Sequence, residues 1–292
     1  MSFIFPPEDS ITHKPPKIED LISLCRMLHT SACFYEEEII TLITMVLLRL
    51  LNLTKDQLSQ VHEQTYDDRS FAFQEVRVLV NLYLHLLIRI AVFDSAKFII
   101  GNVGPQFFQD LIELCLNLID NFDKYSDCAI NAMKLLLWLL KDLTPYEDKD
   151  TQTARSNFEG YEKYEFTKDE EFKKIDMLKG YCFDLAKDLI FDSYESKYNP
   201  PDKRKEVREI ITDMLYVLAK TDTGILKTLK DYWKNERKID QCITFRVKEA
   251  IDFMIKNENL TNYHMVKRQG KIKMSEALEK YELYAFSTGK DW

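Results

Sequence analysis

Glycine and proline are scarce in this sequence. The chain has only 7 glycines and 8 prolines among 292 residues, and their combined share is less than half of the roughly 12% that the two residues make up in soluble proteins. Because all-β folds use both residues freely in turns, the scarcity excludes such a fold and predicts long helices. It also leaves little room for a phosphate-binding glycine loop or a nucleophile elbow. Since HExxH and kinase motifs are missing too, we expect a non-enzymatic protein with no catalytic residues and no cofactor.

Further absences bear on the cellular compartment. The six cysteines form no CxxC pair and mostly lie in apolar helical patterns, which is typical of reduced thiols in a cytosolic protein. The first residues lack the basic and apolar regions of a secretory signal. The most apolar run, 76–93, is interrupted by Arg77, His85 and Arg89, which argues against a membrane span. We therefore expect a cytoplasmic protein, with the nucleus as the alternative.

One group of residues has the types, but not the arrangement, of a metal site. Cys25, His29 and Cys33 are spaced four residues apart, so they would line one face of a continuous helix. Zinc needs four ligands in a tetrahedron, and a third residue a full turn further along cannot easily reach the same ion. No fourth ligand suggests itself. The sequence therefore predicts no metal site.

Apolar residues recur at helical spacing along nearly the whole chain. The pattern begins at Ile18 and predicts about 10 to 11 helices and no strand. Grouped in pairs, these helices give units of about 35 to 45 residues, the period of armadillo and HEAT arrays. The predicted fold is therefore all-α, a right-handed superhelix of stacked antiparallel helix pairs. A non-repetitive helical bundle is the alternative.

Breaks in this pattern divide the chain. A helix at about 35–51 precedes Thr54, which predicts the N-cap of a separate short helix. A polar stretch with many acidic and aromatic residues separates two helical halves. The predicted segments are an extended N-terminal arm at 1–17, a helical-repeat half at 18–143, an acidic aromatic-rich loop at 144–168, a second half with a basic stripe at 169–286, and a tail at 287–292.

Two polar faces predict a groove for a partner. Almost every residue at 76–92 is apolar except four that are spaced four apart and form one polar strip: Arg77, Asn81, His85 and Arg89. A second face on the helix predicted at 126–143 carries Asn131, Lys134, Trp138 and Lys141. We predict that the two faces build a concave groove for a protein or peptide segment. Alternatively, His85 is a core-edge residue bonded to a neighbouring helix, and Trp138 is a core residue.

Basic residues concentrate in the second half. The chain has a net charge of −8, yet 197–280 carries 19 Lys and Arg residues against 13 Asp and Glu residues. The clearest pattern continues from the helix predicted at 223–236 and forms a stripe on one helical face: Lys227, Lys230, Lys234, Arg237 and Lys238. Two further basic clusters lie at 203–208 and 267–273. Such a stripe can bind RNA, an acidic protein segment or the chain's own acidic loop.

Residues 238–253 read KIDQCITFRVKEAIDF. This segment resembles the penultimate helix of the middle domain of the translation-initiation factor 4G scaffold, through Ile243, Phe245, Glu249, Ile251 and Asp252. The family's following arginine is replaced by Met254, and its downstream tryptophan is absent. Members of that family are helical-repeat adaptors for RNA helicases and RNA. The resemblance therefore implies an RNA- or translation-linked adaptor as the alternative to a protein-binding scaffold within a larger complex. At the level of the fold class, the chain resembles the armadillo/HEAT superfamily.

Overall fold

The structure is a computed structural model that describes residues 17–31, 37–63, 70–93, 105–143, 169–192, 201–222, 224–257 and 263–287. All regular structure in these ranges is α-helical, which confirms the all-α prediction. The described helices are α1 (Ile18–Ser31), α2 (Glu37–Glu63), α3 (Phe71–Phe93), α4 (Pro105–Asp120), α5 (Phe122–Leu143), α6 (Asp169–Asp192), α7 (Pro201–Thr221), α8 (Ile225–Asn235), α9 (Gln241–Lys256) and α10 (Tyr263–Ser287). The superhelical stacking stays a prediction.

Several predicted segments lie outside the described residues. These are the N-terminal arm except its last residue, the acidic loop at 144–168, and the tail from 288 onward. The described chain forms two compact units, and the division between them falls inside α5, between Leu135 and Leu136. The first unit contains α1 to α4 and the beginning of α5. The second contains the rest of α5 and α6 to α10.

The first unit is organised around α3. This helix packs against α1 and α2, and α2 also packs against α4. Leu79, Tyr83 and Leu87 on α3 are fully buried, and the Tyr83 hydroxyl donates a hydrogen bond of 3.0 Å to the Leu47 carbonyl oxygen on α2. Burial raises the pKa of Tyr83 well above its usual value, which keeps this hydroxyl protonated and able to donate. A helix with neighbours on two sides needs apolar residues around most of its circumference, as the sequence pattern indicates.

The predicted break before Thr54 is wrong. The chain continues as one helix through Glu37–Glu63, and Thr54 lies within it as a fully buried residue. Its hydroxyl oxygen has no hydrogen-bond partner. A threonine favours an N-cap only where the backbone leaves the helix, and no glycine or proline interrupts this segment. Burial of the neighbouring Leu51 and Leu58 on the same side keeps the helix continuous.

In the second unit, α7 contacts α6, α8, α9 and α10. The short helix α8 is anchored by Trp233, which is fully buried. Its indole nitrogen donates a hydrogen bond of 2.8 Å to the Lys187 carbonyl oxygen on α6. The Trp233 ring also meets Phe191 of α6 edge-on, with centroids 5.2 Å apart. An edge-to-face pair of this kind adds about 0.5–1.5 kcal/mol beyond the area it buries.

The helices α9 and α10 pack closely over much of their length. Gly270 of α10 faces Met254 of α9, and a Cβ atom at position 270 would stand 2.1 Å from the Met254 Cγ atom. Met254 is itself buried. Because glycine has no side chain at position 270, the Met254 side chain can pack directly against the backbone of α10.

Candidate functional site

The predicted polar strip of α3 lies in the first unit. Arg77, Asn81 and Arg89 are half-buried, and His85 is exposed. The Arg77 guanidinium approaches the Asp127 carboxylate of α5, with a nitrogen–oxygen distance of 3.8 Å. The Arg77 carbonyl oxygen also accepts a contact of 3.5 Å from the Cys128 thiol. This end of the strip therefore contacts α5.

Asn131 joins the middle of the strip to α5. Its side chain is only 5% exposed, and its amide nitrogen lies 2.6 Å from the Asn81 Oδ1 atom and 3.1 Å from the His85 Nε2 atom. An amide nitrogen donates two hydrogen bonds, so both neighbours act as acceptors. This arrangement requires His85 to be neutral, with its proton on Nδ1. The sequence predicted that the strip with Asn81 and His85 and the face with Asn131 would together build a groove, and the structure brings these three residues into contact.

Positive charges surround this cluster. Partial burial, together with the charges of His29 and Lys134, lowers the pKa of His85 below its usual value of 6.5. Burial and the charge of Arg89 lower the pKa of His29 in the same direction. Both shifts favour neutral imidazole rings, which agrees with the acceptor role of His85. The middle of the strip is therefore a hydrogen-bonded contact between α3 and α5, as in the alternative reading of His85.

Trp138 and Lys141 belong to the second unit. Trp138 is half-buried, and Lys141 is 9% exposed. The Lys141 ammonium nitrogen lies 4.8 Å from the centroid of the Trp138 ring, within the range of a cation–π interaction. The adjacency expected from the sequence is therefore present on this helix. A role for Trp138 as a partner anchor stays a prediction.

The basic stripe is shorter than predicted. Lys227, Lys230 and Lys234 lie on α8, but this helix ends at Asn235, and Arg237 and Lys238 follow in a turn. Lys238 has a φ of 54°, in the left-handed region that normally favours glycine or asparagine. The Ile239 amide donates back to the Trp233 carbonyl oxygen at 2.9 Å, so the turn closes the helix although no glycine marks its end.

Residues next to these lysines contact α6 or lie in the core. The Arg237 guanidinium lies 3.8 Å from the Asp188 carboxylate of α6, and the Tyr232 hydroxyl donates to the same carboxylate at 2.8 Å. This hydrogen bond raises the pKa of Tyr232 above its usual value. Trp233 is buried. The basic surface of α8 therefore consists of Lys227, Lys230 and Lys234, whereas Tyr232 and Trp233 of the same helix contact α6.

The other two basic clusters meet along a groove between α7 and α10. The groove has a volume of about 580 Å³, and its charged lining residues are Lys205, Lys267, Arg268, Lys271, Glu209, Glu276 and Glu279. Asp213 of α7 lies 3.8 Å from the Lys267 ammonium and 3.0 Å from the Lys271 ammonium. Because carboxylates alternate with the basic residues, this groove carries mixed charge.

A second groove runs along the exposed face of α9 against α10, and sequence analysis did not predict it. It consists of two adjoining cavities of about 630 Å³ and 370 Å³. Phe245, Glu249 and Lys273 line both cavities, so the two form one continuous surface, called the α9–α10 groove below. Phe245 is 55% exposed. A large aromatic side chain exposed to this extent in a concave surface is typical of a binding site.

Charged side chains of both signs border the α9–α10 groove. The Lys273 ammonium nitrogen lies 4.3 Å from the centroid of the Phe253 ring, over its face. Lys248 and Asp252 form an ion pair one turn apart on α9. The first cavity adds Arg246 and Glu276, and the second adds Lys256. The groove thus combines the exposed apolar surface of Phe245 with charged side chains of both signs, some on its rim and two, Glu249 and Lys273, where its two cavities meet.

The sequence contained a signal for this groove. On α9, Ile243, Val247, Ala250, Ile251 and Met254 are all buried, and together they account for one apolar face. Phe245 falls outside that face, two residues from Ile243 and two from Val247. A large apolar residue that does not fit the buried face of an amphipathic helix indicates an exposed contact. The resemblance quoted above used Phe245 only as part of a family pattern.

Cys25 and the apolar helix α3 both belong to the core of the first unit. Cys25 is buried, which raises the pKa of its thiol to about 12, and Cys33 lies outside the described residues. No group of three metal-ligating side chains occurs in the part of the chain that the structure describes. Among those same residues, one helical segment, Phe71–Ala91, is long and apolar enough to cross a membrane. Core helices meet the same criterion, and α3 packs against α1 and α2.

No protein-family model, curated protein or solved structure matches this chain. The resemblances to the armadillo/HEAT superfamily and to the 4G middle domain therefore rest on the residues and patterns quoted above, and they stay predictions.

Proposed function

We propose that this chain is a non-enzymatic helical adaptor that binds a segment of another protein, and that the α9–α10 groove is its docking surface. The observation that carries the proposal is the exposure of Phe245 at the centre of this groove. An adaptor of the armadillo/HEAT type uses stacked helices to present such a surface. This role extends the prediction of a partner-binding scaffold, with the docking surface on α9 and α10 in addition to the predicted faces of α3 and α5.

The size of the contact supports specific binding. A phenylalanine buries about 150–250 Å² when it is fully covered, and slightly more than half of Phe245 is exposed. Covering it would remove about 100 Å² of apolar surface from water, worth about 2–3 kcal/mol at 25 cal/mol per Å². This is the magnitude of an interface hot spot. The surrounding charged rim would then fix the orientation of the partner.

Charge favours a protein over a nucleic acid in this groove. Glu249, Asp252 and Glu276 lie along its lining, where they would repel a phosphate backbone. A protein segment that carries both acidic and basic residues can pair with this rim. The mixed charge also favours specificity, because a partner with a single sign of charge would place like charges together.

RNA binding is the second candidate function. It rests on the lysines of α8, at spacings of three and four residues, which form no ion pair with any described residue: Lys227, Lys230 and Lys234. If these three neutralised single-stranded phosphates, log Kd would change with log salt concentration by a slope of about 2. Reversing all three to glutamate should then remove both the binding and its salt dependence. Unchanged RNA binding by this variant would rule out the stripe.

We propose the cytoplasm or the nucleus as the compartment. The thiols of Cys25, Cys115, Cys128 and Cys242 are free among the described residues, which supports a reducing environment. Fractionation of the native cell, followed by detection of the chain, tests this location. Recovery only from a secretory compartment would contradict it.

A differential affinity purification tests the adaptor function. The wild-type chain, the Phe245→Glu variant and the Phe71→Glu variant are used as baits in the native cell. Phe71 is 77% exposed on α3 in the first unit, so it controls for the introduction of an exposed charge outside the groove. We expect at least one partner to be recovered with wild type and Phe71→Glu, and reduced about tenfold or more with Phe245→Glu. Equal recovery of every partner by all three baits would contradict the proposal.

A further inference from the structure

We infer that the occupant of the α9–α10 groove is an amphipathic α-helix of about four turns, which carries two apolar anchors about seven residues apart and charges of both signs. This inference rests on the proposed adaptor function and specifies the partner. It follows from three properties of the groove: its backbone, its length and its charge pattern.

The backbone of the groove favours a helical ligand. A bound extended peptide needs partners for its amide and carbonyl groups, which a sheet edge supplies in β-strand addition. No residue in the described ranges lies in a strand, and the main-chain groups of α9 and α10 bond within their own helices. The Asn257 side-chain amide is also occupied, since it donates to the Phe253 carbonyl oxygen at 2.8 Å. A helix satisfies its own backbone groups and needs no such partners.

The aromatic residues of the groove argue against a proline-rich ligand. Grooves that bind polyproline segments are lined by several aromatic side chains. Among the described residues that line this groove, the aromatic ones are Phe245 and Phe253, and the Lys273 ammonium lies over the face of the Phe253 ring. Phenylalanine has no hydroxyl or indole group to donate to the carbonyl oxygens of such a segment.

The dimensions of the groove set the length and spacing. The lining runs along α9 from Gln241 to Asn257, a distance of about 24 Å at 1.5 Å per residue. A parallel or antiparallel helix of about 16 residues fills this length. The α9 residues that line the two cavities are centred about six residues apart, or about 9 Å. Apolar residues at positions i and i+7 of a ligand helix lie on one face, about 10.5 Å apart, and match the two cavities.

The charge pattern requires both signs on the ligand. Glu249 and Lys273 line both cavities and therefore lie near the middle of the groove. Between its two anchors, a ligand helix therefore needs a basic residue to pair with Glu249 and an acidic residue to pair with Lys273. Arg246 and Glu276 extend the same alternation around the first cavity. A ligand helix with charges of one sign only would place like charges against either the acidic or the basic residues of the groove.

Selection from a random library tests this inference. Random 20-residue peptides are displayed and selected on the full-length wild-type chain, with counter-selection on the Phe245→Glu variant. We expect enriched peptides to lack proline and to carry apolar residues at spacings of three, four and seven. The best of them should bind wild type about 30-fold more tightly than Phe245→Glu, and equally well to wild type and Phe71→Glu. Proline in the middle of this peptide should weaken binding more than tenfold.

The possible outcomes separate the two proposals. Enriched peptides that depend on Phe245 but show a period of two, or contain repeated prolines, would overturn the helical occupant and leave the adaptor function standing. An absence of any Phe245-dependent enrichment would overturn both. Circular dichroism and thermal unfolding of the Phe245→Glu chain verify that it is folded, as expected for a substitution at a surface position.

Discussion

The contact between Gly270 and Met254 makes a quantitative prediction about the packing of α9 on α10. A Cβ atom at position 270 would lie 2.1 Å from the Met254 Cγ atom and 2.6 Å from its sulfur. Because Met254 is buried, the clash cannot be relieved by moving its side chain into solvent. Gly270→Ala should therefore force the helices apart or distort the rotamer of Met254, at a cost of about 1–3 kcal/mol.

Gly180 provides a matched control. It lies inside α6, and a Cβ atom at this position would meet nothing within 4 Å. Gly180→Ala should therefore stabilise the chain by about 1 kcal/mol, the difference in helix propensity between the two residues. Gly270→Ala gains the same propensity term and adds the packing cost. We expect the free energies of unfolding of the two variants to differ by about 1–3 kcal/mol.

A double-mutant cycle isolates the clash. Met254→Ala alone should cost about 2–5 kcal/mol, because it opens a cavity. In that background the two Met254 atoms nearest to the added methyl group are gone, and the Ala250 carbonyl oxygen at 3.6 Å is in ordinary contact, so Gly270→Ala should stabilise by about 1 kcal/mol, as Gly180→Ala does. The coupling between positions 254 and 270 should thus be about 1–3 kcal/mol in favour of the double variant.

Urea unfolding followed by tryptophan fluorescence measures this cycle. Trp138 and Trp233 both lie in the second unit, so the signal reports on the unit that contains the contact. If Gly270→Ala stabilised the chain as much as Gly180→Ala does, or if the coupling energy were near zero, the close approach of α9 and α10 would be refuted. That result would also undermine the α9–α10 groove, whose shape depends on the same packing.

Three further predictions concern local features of the chain. Thr54→Val should stabilise the chain by about 1 kcal/mol because it removes a buried hydroxyl without a partner. Thr244→Val should destabilise it by a similar amount, since the Thr244 hydroxyl donates to the Gln241 carbonyl oxygen at 3.0 Å. If urea unfolding gave changes in the free energy of unfolding with the same sign for both variants, the assignment would be contradicted. Lys238→Gly should stabilise by about 0.5–1 kcal/mol because φ is 54°, and a loss of stability on thermal unfolding would count against the left-handed turn. The pKa of His85 is lower in the folded state than the usual histidine value of 6.5. Between these two pKa values the unfolded state therefore binds more protons than the folded state. Stability should fall as the pH decreases through 6.5 and level off below the folded pKa. Thermal unfolding by circular dichroism from about pH 8 to about pH 5 should show a shallower decline for His85→Gln, and an equal decline would show that this imidazole is not responsible.

Much of the fold could be predicted from the sequence because its signals are local. Scarce glycine and proline, together with apolar residues at helical spacing, predicted helices throughout, and the described chain is helical. Two predictions were wrong, the helix break before Thr54 and the extension of the basic stripe to Arg237 and Lys238. In both cases the same residue type occurs in more than one backbone conformation. Thr54 caps a helix in one context and lies buried inside a helix in this one. Arg237 and Lys238 lie beyond the end of α8, and Lys238 adopts a left-handed conformation that normally favours glycine, so nothing in its chemistry indicated that it departs from the helical face of the stripe.

The candidate sites were less predictable because they depend on which faces meet. The helical spacing of Asn81, His85 and Asn131 placed them on polar strips, but their mutual hydrogen bonds depend on how α3 and α5 approach each other. The same spacing could have produced an open groove. Likewise, the basic clusters at 203–208 and 267–273 meet only because α7 packs against α10. Neither contact is encoded in the periodicity of a single helix.

The exposed position of Phe245 shows how a single helix can still reveal a surface. The buried face of α9 is complete without it, since its apolar members follow helical spacing from Ile243 to Met254. A phenylalanine added outside a complete apolar face contributes nothing to the core and exposes apolar surface to water, which favours association. In contrast, His85 and Asn131 use their polar groups within the first unit. A polar strip on a buried helix is therefore weaker support for a binding site than one large apolar residue outside the core face, and the proposed adaptor function is better tested on α9 than on α3.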